Sequence, residues 1–204
     1  MNFFLIFSNP NFHFQLLDWL PPPLIVTSST KVTWDLPQGS RLSVFAIGGG
    51  GADGVGTAGS SGFFKHTTVD ITQTQTLVID ITIGLGGRSC CNSGQATTVE
   101  STLFTVTAQG GGQGTGTGWS GGNSGTGGYN GQYGSGEQLP SLCQVTLTPG
   151  AAGDGGNHGG GGGGVIVNGQ KPSRLFIDDG EGYGAGGGED HRNGYAGVVV
   201  LTFC

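Results

Sequence analysis

The sequence predicts an all-β protein, and three observations lead to this prediction. Helix signals are almost absent, since only FQLLDWL at 14–20 could form a helical turn before Pro21 to Pro23 end it. Short runs rich in Val, Ile, Thr and Phe alternate apolar with polar residues, as half-buried strands do. Glycine tracts separate these runs. We therefore predict an antiparallel sandwich or a jelly-roll-like body.

The predicted strands follow one another with turn residues between them. KVTWDL places Val32, Trp34 and Leu36 on one face, and LPQG after it supplies a turn. Further strands are predicted in RLSVFAI, in FFKHTTVDITQTQTLVIDITIG (two strands), and in TTVESTLFTVTA, LCQVTLTPG, GVIVNGQ and YAGVVVLTF. The odd-numbered residues of 77–83 are all Leu or Ile and are predicted to share a face. Asn168-Gly169 predicts a two-residue hairpin turn.

Glycine tracts connect these strands. The chain contains 46 glycines, and the tracts cover residues 48–62, 84–94, 110–136, 150–164 and 180–188. Strands hold both ends of each tract, and charged residues are rare within them. We therefore predict that the tracts pack as polyglycine II helices, which have three residues per turn and bond to their neighbours. Flexible linkers are the alternative.

Residues 1–26 are predicted to be an apolar arm, and residues 27–204 the glycine-rich β domain. The arm is expected to pack on the body or on a neighbouring subunit. A poorly formed signal peptide is the alternative, because FFLIF lacks a basic region before it and a cleavage site close behind it. The Asn, His, Gln and Asp residues of the arm argue against a membrane span.

Charge argues against a nucleic-acid-binding protein. The net charge is −6, and the seven basic residues are scattered along the chain. A nucleic-acid binder needs a basic stripe that neutralises phosphates. We therefore expect no nucleic acid among the partners.

The four cysteines predict an oxidising compartment with at least one disulfide. Cys90, Cys91, Cys143 and Cys204 lack the spacing of a zinc site. A cross-link would limit the large unfolded-state entropy that glycine brings. Pairing of Cys90 or Cys91 with Cys143 is favoured, and Cys204 could join subunits or pair within the chain. Free buried thiols are the alternative.

Gly54, Gly56 and Gly59 match the G-x-G-x-x-G spacing of a dinucleotide cradle. Such a cradle needs a helix behind it, because the pyrophosphate binds at the helix N-terminus. A Thr-, Val- and Ile-rich strand pattern follows Gly59 instead. The three glycines are therefore interpreted as positions where backbones pack closely, and no cofactor is expected.

Metal binding has two weak candidates. Asp53 lies in GGGGADGVG, which fits one copy of a calcium-binding repeat, and a single copy supplies only half a site. An acidic cluster follows later in the chain, at Asp178, Asp179, Glu181, Glu189 and Asp190. Its spacing does not match an EF-hand, so an exposed solvated loop is expected.

Catalytic residues are not expected, whereas recognition residues are. His158 and His191 have no Ser or Cys beside them in a catalytic pattern, so the protein is predicted not to be an enzyme. Trp119, Tyr129 and Tyr133 lie among Asn, Gln and Ser, a combination that suits contact with glycans or proteins. The alternative is that these rings cover the ends of glycine helices.

The order of strands and tracts also carries a family likeness. AIGGGGADG is followed by SGFFKHTTVDI, TLVIDITIGLGG, GGGGGGVIVNGQKP and GYGAGGG, and GYAGVVVLTF closes the chain. Over roughly residues 30–204 this resembles the glycine-rich domain at the tips of some bacteriophage tail fibres. It is also similar to the glycine-rich ectodomain module of the anaplastic lymphoma kinase receptor family. The resemblance implies short strands capped by polyglycine helices, used for receptor or ligand recognition.

Three functional hypotheses follow. The first is an extracellular or virion-surface structural protein that self-assembles into a fibre, sheath or matrix, with copies of itself as partners. The second is an adhesin tip that binds a surface glycan or a protein receptor. The third is a calcium-stabilised secreted module.

Overall fold

The computed structural model describes residues 21–54, 58–88, 92–114, 138–151, 153, 160–188 and 192–204. The strands in these residues are β1 Leu24–Val26, β2 Thr30–Leu36, β3 Arg41–Ile47, β4 Phe64–Asp70, β5 Gln75–Thr82, β6 Thr97–Glu100, β7 Thr105–Ala108, β8 Leu147–Pro149, β9 Val165–Val167 and β10 Val198–Phe203. All strand pairs are antiparallel, and the described residues contain no helix. The predicted all-β class is confirmed. TTVESTLFTVTA forms two strands, and Leu24–Val26, at the end of the predicted arm, forms β1.

Two four-stranded sheets pack together and enclose the main core. The first sheet has the order β1-β10-β3-β4, and the second has the order β2-β5-β6-β7. Leu77 of the second sheet and Leu201 of the first lie in this one core. Trp34 meets Phe203 edge to face, with 4.7 Å between the ring centroids. The predicted shared face of residues 77–83 is confirmed, because its odd-numbered members are buried.

A third layer covers the outer face of the first sheet. β8 and β9 form a two-stranded antiparallel sheet, and Val165 and Val167 lie in a second core with Phe45 and Val200. All six residues of β10 are therefore buried. Burial on both faces explains why β10 reads as a continuous apolar run instead of an alternating one.

Both turns that the sequence predicts are present. Asn168 and Gly169 have φ values of 49° and 74°, and Val167 and Gln170 on either side exchange backbone hydrogen bonds of 3.0 and 2.8 Å. Positive φ at both central residues defines a type I′ hairpin turn. In LPQG, Gly39 has a φ of 85°, which glycine adopts without strain.

Cys143 and Cys204 form a disulfide, and their Cα atoms lie 5.6 Å apart. The favoured pairing of Cys143 with Cys90 or Cys91 is therefore wrong. The reason lies in the third layer: Leu142 packs on the outer face of the first sheet, which brings Cys143 over the end of β10. Cys90 and Cys91 lie outside the described residues.

The glycine segments beside the two large sheets leave from one end of the sandwich. β3, β5 and β7 run into them, and β4, β6 and β10 run out of them. At that end Ile47 pairs with both Phe64 and Val198. The buried hydroxyl of Thr97 connects the two sheets there, since it donates to the Ile47 carbonyl at 2.8 Å and accepts from the Gly84 amide at 2.9 Å.

Residues 48–53 form the central segment of what we call the glycine bundle. Their N–H groups bond in turn to three neighbouring segments, 60–63, 92–95 and 192–195. The bonds run from Gly48 to Phe63, Gly49 to Gln95, Gly50 to Tyr195, Gly51 to Ser60, Ala52 to Asn92 and Asp53 to Arg192. A repeat of three is the period that polyglycine II requires. The dihedral angles of that helix stay a prediction.

Three more segments donate to the carbonyls of the central segment, which therefore has six neighbours. The amides of Gly87, Gly111 and Gly187 donate to residues 50, 49 and 51 respectively. Each neighbour also bonds to the next, which closes a ring in the order 59–63, 184–187, 192–197, 84–87, 92–95 and 109–114. Backbone groups that no sheet pairs are satisfied in this way.

Close approach of the backbones makes glycine necessary in this bundle. A Cβ at Gly54 would lie 1.8 Å from the Gly114 carbonyl oxygen, and one at Gly59 would lie 2.1 Å from that of Gly51. The interpretation of Gly54 and Gly59 as close-packing positions is confirmed, while Gly56 lies outside the described residues. The chain after Gly59 leads into β4, so this segment lacks the helix that a dinucleotide cradle needs.

Candidate functional site

Several of the predicted site residues lie outside the described residues. These are the recognition candidates Trp119, Tyr129 and Tyr133, whose role stays a prediction. His158 and His191, for which the sequence predicts no catalytic role, also lie outside the described residues. Asp53, the calcium candidate, is buried in the glycine bundle with 2% of its surface exposed. Within the described residues, no three His, Cys, Asp or Glu side chains form a group that could hold a metal ion.

Two carboxylates of the acidic cluster bond to side chains of the glycine-bundle segment 192–197. Asp178 pairs with Arg192 at 3.3 Å. Asp179 accepts hydrogen bonds from the Tyr195 hydroxyl at 3.0 Å and from the Gly188 amide at 2.9 Å. Asp179 is also buried, so it departs from the solvated loop that the sequence predicts. Asp178 and Asp179 therefore hold their own loop against the segments that contain Gly188 and Tyr195.

Glu181, the third described member of the cluster, pairs with Lys171. The Lys171 ammonium is the largest influence on Glu181 and holds the pKa of its carboxyl below the usual value. The remaining members, Glu189 and Asp190, lie outside the described residues.

The most unusual described surface is a loop of residues 174–179, which we call the apolar loop. Leu175, Phe176 and Ile177 are 73%, 51% and 67% exposed. Three consecutive large apolar side chains rarely stay in water, and such patches mark interaction sites. The apolar loop is therefore the candidate functional site.

Hydrogen bonds hold the backbone of the apolar loop in one shape. The Arg174 guanidinium donates to the carbonyls of Ile177 and Asp179, at 2.5 and 2.8 Å. The Asp179 amide donates to the Phe176 carbonyl at 3.2 Å, and the Tyr195 hydroxyl accepts from the Leu175 amide at 3.0 Å. A loop held at several points displays its side chains with little ordering cost on binding.

The glycine bundle orients this loop through Tyr195 and Arg192. The Tyr195 backbone bonds to Gly50 and Ala185, inside the bundle. Burial raises the pKa of the Tyr195 phenol, and its hydrogen bond to Asp179 acts in the same direction. The Arg192 guanidinium carbon lies 3.7 Å from the centre of the Phe176 ring, a cation–π contact that fixes the ring from one side.

Sequence reasoning missed the apolar loop. SRLFIDDG lacks the alternation of a strand and contains no glycine before Gly180. The available signal was a run of three apolar residues between Arg174 and an acidic pair, outside any predicted strand. Such a run can also be a short buried strand. Only the exposure of these side chains in the described structure identifies the run as a surface feature.

Two shallow grooves lie on either side of residues 84–88, which we call the ridge. One groove has a volume of about 300 Å³ and is lined by Leu85, Gly86, Arg88, Asn193, Gly194 and Ala196. The other has a volume of about 240 Å³ and lies between the ridge and residues 92–95. Glycine, amide and arginine groups line both grooves together with the Leu85 side chain, so each groove has both polar and apolar walls.

A serine and a histidine lie together elsewhere, in the first sheet. The Ser43 hydroxyl and the His66 Nε2 are 2.8 Å apart. Burial lowers the pKa of His66, which favours the neutral imidazole. Ser43 is only 2% exposed, and a nucleophile must reach its substrate. We therefore interpret the pair as a partly buried hydrogen bond on the outer face of the first sheet.

A family comparison fits this architecture of strands and glycine segments. The family model described as a glycine-rich domain matches residues 27–199. The chain belongs to this glycine-rich domain family. No curated protein sequence matches the chain. The described part of this glycine-rich domain includes no helix with the length and apolar character needed to cross a membrane.

Proposed function

We propose that this glycine-rich domain is a non-enzymatic recognition module that binds a protein partner through the apolar loop. One observation carries the proposal: Leu175, Phe176 and Ile177 are largely exposed on a loop whose backbone is held by hydrogen bonds. Full burial of a Leu, Ile or Phe side chain contributes about 1.5–3 kcal/mol each. The loop therefore offers a compact binding hot spot of the kind found at interface centres.

The shape of the loop indicates the partner's chemistry. A tip of exposed apolar side chains fits an apolar pocket. The proposed partner is a different protein that offers such a pocket, in agreement with the recognition role that the family resemblance implies. Asp178 and Arg192 pair with each other beside the tip, so their two charges offset one another at the rim of the interface. No cofactor, metal or nucleic acid takes part in this binding.

The proposed location is an extracellular or virion surface. The Cys143–Cys204 disulfide supports this location, because disulfides persist in oxidising compartments. The resemblance to tail-fibre tips and to the receptor ectodomain module agrees with a recognition role. Self-assembly into a fibre, sheath or matrix remains a second proposal, supported by the low charge of the chain.

Site-specific photocrosslinking followed by affinity measurement tests the proposal. A photoreactive phenylalanine replaces Phe176 in one sample and Leu103 in a matched control, since Leu103 is 41% exposed in the turn between β6 and β7. Each sample is incubated with intact surfaces and secreted protein from the source. A partner cross-linked only from position 176 is then purified. We expect the Phe176→Ser variant to bind it about a hundredfold more weakly, and Leu103→Ser to bind it normally.

Equal binding of the purified partner by wild type and Phe176→Ser would overturn the proposal. So would identical cross-linked proteins from positions 176 and 103, because contact would then not depend on the apolar loop. Thermal melting of Phe176→Ser confirms that the variant is folded before affinities are compared.

A further inference from the structure

The ridge, residues 84–88, lies at the edge of the described part of the glycine bundle. Its backbone bonds to the backbones of three described segments: the central segment, residues 92–95 and residues 192–197. The central segment itself has six neighbours. In the same packing the ridge has room for further neighbours on its outer side, where the two grooves lie.

The period of three determines which groups of the ridge face outward. The Gly87 amide donates to the Gly50 carbonyl, and the Gly87 carbonyl accepts from Gly194. Each residue along the chain turns these groups by a third of a turn. The N–H and C=O of Gly86 therefore point away from the central segment. Neither group bonds to any of the described residues.

Leu85 adds an apolar contact beside these polar groups. Its side chain is 47% exposed and lines both grooves. Arg88, three residues later, lies on the same side of the ridge and also lines both grooves. Within one turn, the ridge thus combines the exposed Leu85 side chain, two grooves, and the Gly86 N–H and C=O groups, which bond to none of the described residues.

We propose that two copies of this chain pair through their ridges across a two-fold axis. Gly86 of each copy supplies its N–H and C=O to the ridge of the other, and Leu85 of each fills a groove of the other. A contact of this kind is isologous, which means that both copies use the same surface. Each Leu85 side chain therefore meets a groove of the other copy, and each Gly86 N–H meets an acceptor there. It extends the packing that already surrounds residues 48–53, much as an exposed strand edge pairs with another strand.

Charge permits this pairing. Arg88 is the one charged residue in the linings of the two grooves. In an antiparallel contact centred on Gly86, the two Arg88 residues lie at opposite ends, about 12 Å apart at ~3.1 Å per residue. That separation exceeds the screening length of about 8 Å at physiological salt. A two-fold pair would also present two apolar loops, which strengthens binding to a multivalent surface.

Sedimentation equilibrium of the full chain, combined with hydrogen exchange, tests the pairing. We expect a concentration-dependent dimer whose dissociation constant rises at least about tenfold in Leu85→Glu, because a carboxylate then enters the contact. Leu103→Glu is the matched control, since Leu103 is similarly exposed at the far end of the sandwich, and it leaves the dimer unchanged. Leu85→Ala, which weakens the contact without adding charge, serves if Leu85→Glu does not fold.

Hydrogen exchange provides an internal comparison. The Gly87 amide is bonded inside each copy, so its protection is independent of protein concentration. The Gly86 amide gains protection only as the dimer forms. A chain that stays monomeric to about 1 mM, or a dimer whose Gly86 amide stays unprotected, would overturn the proposal. The proposal would also be overturned if Phe176→Ser abolished the dimer and Leu85→Glu left it intact. The two copies would then meet through the apolar loop and not through the ridge.

Discussion

Replacement of Gly50 by alanine measures how strongly the glycine bundle stabilises the fold. The added Cβ would lie 1.9 Å from the Ala185 carbonyl oxygen. An ordinary contact needs at least 3.4 Å, so one backbone segment must move by more than an ångström. That movement weakens the bonds from Gly50 to Tyr195 and from Gly87 to Gly50, both 2.8–2.9 Å long.

The expected cost follows from these contacts. Two hydrogen bonds contribute about 1 kcal/mol each, and overpacking adds about 1–3 kcal/mol. The free energy of unfolding should therefore fall by about 3–5 kcal/mol. For a chain of this length each kcal/mol lowers the melting temperature by about 2–4 °C. Differential scanning calorimetry should show Gly50→Ala melting about 6–20 °C below wild type.

Gly112→Ala is the matched control within the same bundle. Its added Cβ would meet only the Ser60 Oγ, at 3.5 Å, which is an ordinary contact. We expect its melting temperature to stay within about 2 °C of wild type. If Gly50→Ala also melts within that range, the bundle tolerates a side chain at its centre, and the argument from close approach is refuted.

Two further predictions concern the first sheet and the third layer. Burial lowers the pKa of His66 in the folded chain below the usual 6.5. As the pH falls below 6.5, the unfolded chain therefore takes up a proton before the folded chain does. The free energy of unfolding decreases with pH until the folded histidine is protonated as well. Urea unfolding between pH 7.5 and 5 should show this slope, and His66→Gln should flatten it; an unchanged slope would assign the effect to other groups. The disulfide closes a loop between residues separated by 61 positions, so Cys143→Ser with Cys204→Ser should lose about 4 kcal/mol. Denaturant unfolding measures this loss, and a loss below about 1 kcal/mol would contradict the loop-closure argument.

Features set by near neighbours in the chain were predictable. Alternation from Leu77 to Thr82 gave the buried and exposed faces of β5, because side chains in a strand point to opposite faces in turn. Asn168-Gly169 gave its hairpin turn, since few residues adopt positive φ. The close packing at Gly54 and Gly59 was also predictable. For the strand and the turn the local sequence contains the physical cause, whereas Gly54 packs against Gly114, which is distant in the chain.

The all-β class, the alternation within strands and the close packing of the glycine segments could all be predicted from the sequence. Three features became visible only in the folded chain: which segments surround residues 48–53, the pairing of Cys143 with Cys204, and the exposure of Leu175 to Ile177. Backbone N–H and C=O groups are the same in every residue except proline, so the sequence does not indicate which glycine segments bond to each other. Likewise, whether an apolar run is core or surface depends on what the rest of the chain lays over it.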